Sequence, residues 1–99
     1  MDINKVSDIT ANDLAEYIRL VEPTQDDINT LNSLLVVAKV YIAEYTGQTI
    51  QTMDDYRDIV IAVLILVQDM WDNRALYVDN TNLNRTVESI LNMHVVNLL

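Results

Sequence analysis

Two aspartates at helical spacing are the residues of this chain that come closest to a metal site. Asp54 and Asp58, in the stretch DDYRD, stand four residues apart, so on a helix they share one face and could bind one divalent cation. Acidic residues are also favourable at the start of a helix, where they interact with the positive end of the helix dipole. We favour this second interpretation and predict no metal site.

The other residue types that carry out catalysis occur singly. The chain has no cysteine, and its one histidine, His94, lies near the chain end among apolar neighbours. One glycine cannot build a phosphate-binding loop, and Ser7, Ser33 and Ser89 lack the motif of a nucleophile. A lone histidine is more often structural than catalytic. We therefore predict no catalytic residue, no cofactor and no enzyme activity.

The composition favours an all-α fold and a single small domain over residues 1–99. Hydrophobic residues make up 51% of the chain, while Gly and Pro occur once each, which is typical of long helices with few connections. The sequence shows neither a signal peptide nor an apolar run near the ~20 residues that span a bilayer. The formal net charge is −9 and the six basic residues are scattered, which argues against nucleic-acid binding.

Apolar spacing predicts three main helices and a short C-terminal helix. The expected ranges are about 11–22, 25–46, 54–74 and 85–93. Pro23 is expected to end the first helix, and Gly47 is expected to be the left-handed residue after the second. Residues 48–53 are read as a short connection and 76–86 as a flexible loop.

Threonine and aspartate at a spacing of three residues predict how the first two helices begin. Thr10 with Asp13, and Thr24 with Asp27, fit a variant of the capping box in which Asp replaces Glu. In a capping box each side chain accepts a hydrogen bond from the other residue's backbone N–H. These pairs fix the predicted starts of both helices.

The third predicted helix is apolar on every side. Nine consecutive apolar residues run from Ile59 to Val67, although a helix at the surface of a core needs only one apolar stripe. One side is expected to pack on the second helix. Ala62 and Ile65, flanked by Ile61 and Leu66, then face elsewhere. Either the first helix, the fourth helix and the chain end cover them, or another copy does, because exposed apolar patches usually mark interaction sites.

Several segments resemble the small head-tail connector proteins of long-tailed bacteriophages, the adaptor or head-completion family. They are VVAKVYIAEYTGQTI (36–50), DIVIAVLILVQDMWDNR (58–74), VESIL (87–91) and the opening SDITANDLAEYIRLVEPTQDDINTLNSLL (7–35). The residues that match the family's motifs are Tyr45-Thr46-Gly47, Trp71-Asp72-Asn73-Arg74 and Val87-Glu88-Ser89-Ile90-Leu91. Trp71 stands where tyrosine is commoner in the family.

The resemblance implies a homo-oligomeric ring of about a dozen copies beneath the portal protein, with heterologous contacts between neighbours. Such a ring extends the DNA channel at the head-tail junction of the virion and binds the next head-completion or tail protein. The chain would be made in the bacterial host cytoplasm, with no membrane association. Its negative charge would let DNA slide without specific binding.

The candidate subunit contacts are apolar residues of the third helix and the chain end. They are Ile61, Ile65, Leu66, Val95, Val96, Leu98 and Leu99. A function of another class stays open, namely a small acidic helical regulator that binds one host protein.

Overall fold

The computed structural model describes residues 3–73 and 85–96, and the elements in these ranges are all helical. A 3-10 helix, Val6–Asp8, precedes five α-helices: α1 (Ala11–Ile18), α2 (Gln25–Thr46), α3 (Ile50–Met53), α4 (Arg57–Asp72) and α5 (Arg85–Asn92). The described residues contain no strand, so the predicted all-α class is confirmed. Within the same ranges, no helix has both the length and the hydrophobicity needed to cross a bilayer.

The most apolar helix, α4, lies at the centre of the core. It packs against α2, α5 and α1. Its buried side chains include Ile59, Val63 and Val67, which are fully enclosed. Burial on this scale removes a large apolar area from water and is the main source of stability in a domain without disulfides.

The capping residues at both predicted helix starts behave as expected. The Thr10 hydroxyl accepts the Asp13 backbone N–H at 3.2 Å, and the Asp13 carboxylate accepts the Thr10 N–H at 3.0 Å. The corresponding distances for Thr24 and Asp27 are 3.1 and 2.9 Å. The predicted capping boxes are therefore confirmed.

The first helix is shorter than predicted, because it ends at Ile18 and not near 22. Arg19 adopts the left-handed conformation with φ of 65°. The Arg19 N–H donates to the Glu16 carbonyl at 3.1 Å, and the Leu20 N–H donates to the Ala15 carbonyl at 3.0 Å. These two bonds form a Schellman motif that satisfies the last carbonyls of α1. The end of α1 therefore does not depend on Pro23.

The connection before the central helix is also different from the prediction. Residues 50–53 form the helical turn α3, whose start is capped by Thr49, with its hydroxyl accepting the Thr52 N–H at 3.1 Å. Met53 at its end is fully buried. The helix predicted for 54–74 consequently begins at Arg57, after a turn at 54–56, and ends at Asp72.

The predicted loop at 76–86 lies mostly outside the described residues. Its last two positions, 85 and 86, belong to α5, which ends at Asn92 close to the predicted bound. The buried residues Val87 and Leu91 join α5 to the core. The short C-terminal helix is therefore confirmed.

Candidate interaction surfaces

The two aspartates that could have shared a cation are tied to different partners. The Asp54 carboxylate accepts the Ser7 hydroxyl at 2.7 Å and the Ser7 backbone N–H at 2.9 Å. Both bonds lower the pKa of Asp54 below its ordinary value, and the bond from the hydroxyl has the larger effect. Asp58 faces His94 instead. No group of three or more potential metal ligands occurs among residues 3–73 and 85–96.

His94 fastens the end of the chain to the start of α4. Its Nε2 lies 2.8 Å from an Asp58 carboxylate oxygen. Its ring lies against the ring of Tyr56, with 4.3 Å between centroids, and its backbone carbonyl accepts the Gln48 side-chain amide at 2.9 Å. All of these contacts hold the segment in place, which accords with the structural role predicted for His94.

A second set of bonds fastens the same segment to the end of α2. The Tyr45 hydroxyl donates to the Asn92 side-chain oxygen at 2.7 Å, and the Val96 N–H donates to the Thr46 carbonyl at 2.7 Å. We call residues 92–96, with their contacts to α2 and α4, the C-terminal clasp. It places the motif residue Tyr45 in a structural role.

Gly47 ends α2 in the left-handed conformation, as predicted, with φ of 73°. Its N–H donates to the Ala43 carbonyl at 2.9 Å. A Cβ at this position would lie 3.5 Å from the Val96 Cβ, which is ordinary van der Waals contact. The requirement for glycine therefore comes from the backbone conformation and not from lack of space.

The outer side of α4 is one part of the predicted subunit contact that the structure leaves open to solvent. Ile61 is 51% exposed, and Ile65 and Leu64 are half-buried. Ile61 lines an open cleft of about 470 Å³, whose walls are Ile3, Arg57, Asp58, Val60, Ile61 and Leu64. We call Arg57, Ile61, Leu64 and Ile65 the outer α4 face.

One residue of the predicted contact is removed from it by the structure. Leu66 is 2% exposed and Ala62 is fully buried, within an α4 that packs against α1, α2 and α5. The same chain thus covers this side of α4, and Leu66 cannot contact a neighbour. Among the other candidates, Val95 and Val96 are exposed residues of the clasp, whereas Leu98 and Leu99 lie outside the described residues.

A second exposed apolar surface lies on α2, outside the predicted subunit contact. Val36, Val37 and Val40 are 61, 53 and 45% exposed, and we call them the valine stripe. On a helical wheel they lie opposite the buried positions, which include Leu35 and Ile42. The sequence signal for this surface was the presence of three valines at positions of α2 that do not face the core.

These two surfaces point in different directions and carry unlike charges at their ends. The buried sides of α2 and α4 pack against each other, so the outer sides of both helices face away from the shared core. Glu44 is exposed one turn after Val40, and Arg57 is exposed one turn before Ile61. Arg57 makes no ion pair with any residue that the structure describes.

The remaining motif residues of the connector resemblance are Trp71 and Arg74. Trp71 is half-buried and packs against the core near the end of α4, and Arg74 lies outside the described residues. No family model, no curated protein and no solved structure matches this chain. The connector function therefore stays a prediction.

Proposed function

We propose that this chain is a ring-forming head-tail connector subunit of a tailed bacteriophage. The observation that carries the proposal is that one small domain exposes two different apolar surfaces, the valine stripe and the outer α4 face, on different sides. A closed ring is built from heterologous contacts, in which one surface of each copy meets a different surface of the next. A chain with two such surfaces has what a ring requires.

The hydrophobicity of these surfaces supports the proposal because it does not contribute to the core of the single chain. The core is complete without Ile61 or the three valines, whose side chains remain about half exposed or more. Contiguous apolar surface on a soluble domain commonly marks a site where another protein binds. Burying it between copies would also stabilise a domain of this size, in which little core is available.

The charge of the chain is compatible with a channel through which DNA passes without being bound. The formal net charge is −9, with six basic residues distributed singly along the sequence. A ring lined by such subunits repels phosphates, so DNA passes through its channel without specific binding. In this proposal the ring sits beneath the portal in about a dozen copies. Its other rim binds the next head-completion or tail protein.

The proposal is tested by the assembly state of the purified chain, alone and with the portal protein encoded in the same genome. Native mass spectrometry and electron microscopy at high protein concentration should show a closed ring, or a ring that forms on the portal. A chain that stays monomeric under both conditions contradicts the proposal. A monomer that ignores the portal and forms a one-to-one complex with a host protein would favour the small regulator instead.

A further inference from the structure

We propose that neighbouring copies join by packing the valine stripe of one copy antiparallel against the outer α4 face of the next, with Val40 opposite Ile61. This contact rests on the ring of the proposed function and specifies which surfaces form it. Polar, apolar and charged residues follow one another along the exposed side of each helix. The two series are complementary when the helices run antiparallel.

Along α2, the exposed side changes from polar to apolar to acidic. Ser33 comes first, the valine stripe follows, and Glu44 stands one turn beyond Val40. Residues four apart on a helix lie on the same side, about one turn from each other. The stripe therefore has a polar end and a negatively charged end.

Along α4, the same order runs in the opposite direction. Arg57 comes first, Ile61 follows one turn later, then Leu64 and Ile65, and Gln68 another turn on. Read from its C-terminal end, the outer α4 face is thus polar, apolar and finally basic. It is the complement of the exposed side of α2.

Placing Val40 opposite Ile61 in an antiparallel pair fixes the other contacts. One turn in one direction brings Glu44 of the first copy to Arg57 of the second. One turn in the other direction brings Val36 to Ile65. The apolar residues then cover each other and the charged side chains meet at the edge of the contact, where they confer direction and register.

The parallel orientation fails on the same residues. With Val40 again opposite Ile61, it would set Glu44 against Ile65 and Arg57 against Val36. Each charged group would then lose hydration against an apolar side chain without gaining an opposite charge. The charges therefore select the antiparallel pair.

The cleft beside Ile61 gives the valine stripe a place to dock. Ile3 and Leu64 form apolar walls, and Arg57 and Asp58 are its charged lining residues. An apolar side chain of the next copy that enters this cleft contacts these walls and gains dispersion energy there.

A second copy is the occupant that covers both surfaces at once. A contact of stripe against stripe would leave Ile61 and its cleft exposed, and it would provide no partner for Arg57. In the head-to-tail contact every copy presents its valine stripe to one neighbour and its outer α4 face to the other. Each copy then covers both surfaces, and the basic Arg57 meets an acidic residue.

Cysteine crosslinking tests the contact. The chain contains no cysteine, so only the introduced thiols can be crosslinked. The variants Val40→Cys and Ile61→Cys are mixed and treated with a short bismaleimide. A matched control pairs Ile61→Cys with Val21→Cys, whose valine is almost fully exposed and lies outside both surfaces. Mass spectrometry then compares the yield of the mixed dimer with the yields of the two homodimers.

The expected result is that the Val40–Ile61 mixed dimer exceeds both homodimers and the Val21 control several-fold. Predominance of the Val40 homodimer, or yields equal to the control, overturns the contact. Wild-type rings in the electron microscope together with control-level crosslinking would overturn this contact while leaving the ring intact. A wild-type chain that is monomeric, both alone and with portal, would overturn the ring and the contact together.

Charge exchange provides a second test of the register. Glu44→Arg and Arg57→Glu should each weaken self-association by about three- to tenfold, because each sets like charges together at the edge of the contact. The double variant restores an opposite pair and should recover most of the loss. If the losses simply multiply in the double variant, Glu44 does not meet Arg57.

Discussion

Leu66 and Ile61 lie five residues apart on α4, and the chain encloses the first while it leaves the second half exposed. Both belong to the same apolar run, so side-chain type does not distinguish them. The difference comes from position on the helix, since Leu66 lies on the side of α4 that packs against other helices of the chain, whereas Ile61 lies on the opposite side and is 51% exposed. Leu66 therefore stabilises the domain itself, whereas Ile61 is available for contact with another copy.

The largest effect should come from truncating the enclosed side of α4. Leu66→Ala should lower the free energy of unfolding by about 2–5 kcal/mol, because it removes buried methyl groups and leaves a cavity. The matched variant Ile61→Ala should cost less than about 1 kcal/mol, as expected for an exposed position. Chemical denaturation measures both. Equal losses would show that the two sides of α4 do not differ as the structure places them.

The next effect in size concerns the end of α2, against which the C-terminal clasp packs. Gly47→Val should lower the free energy of unfolding by more than about 1 kcal/mol, because a β-branched residue is strained at positive φ. Gly47→Asn adds a Cβ but tolerates the left-handed conformation, so it should cost less. Two neutral variants in thermal unfolding would mean that α2 ends in another conformation.

The smallest effect concerns Asp54, whose pKa the Ser7 bonds lower. A group with a lowered pKa in the folded state stabilises the fold above its ordinary pKa of 3.8, and this contribution is lost as the pH falls through the folded pKa. Ser7→Ala removes the hydroxyl bond but keeps the backbone bond. The pKa of Asp54 should therefore rise part of the way.

An NMR titration of the Asp54 carboxyl measures that rise, and Ser33→Ala is the control. The Ser33 hydroxyl donates to the Asn29 carbonyl and contacts no carboxylate, so its removal should leave the Asp54 titration unchanged. The acid-dependent part of the stability should shrink in Ser7→Ala alone. An unchanged Asp54 titration in Ser7→Ala would show that the bond from its hydroxyl does not form in solution.

Local rules predicted the parts of this fold that depend on a few neighbouring residues. The capping boxes at Thr10 and Thr24 and the glycine at 47 each act within one helical turn, so their residues are visible in the sequence. Apolar spacing likewise predicted the long helices, because periodic burial requires periodic hydrophobicity. The all-α class followed from the composition, in which Gly and Pro occur once each.

The parts of the fold that local sequence patterns did not predict depend on contacts between distant residues. Arg19 is an unfavourable residue for a left-handed position, and it takes that conformation where Leu20 turns back onto the core. Nothing within the apolar run of α4 shows which of Ile61 and Leu66 a neighbouring helix will cover. Asp58 and His94 are 36 residues apart, so only the fold could pair them.

The most direct test of the central claim uses two variants that each block one surface. Val40→Asp spoils the valine stripe and Ile61→Asp spoils the outer α4 face, while both positions are exposed enough for the domain to stay folded. In sedimentation velocity each variant alone should be monomeric, and their equimolar mixture should form a dimer of one copy of each, because one intact stripe then meets one intact α4 face. Rings formed by either variant alone, or a mixture that stays monomeric while the wild type assembles, would contradict the claim.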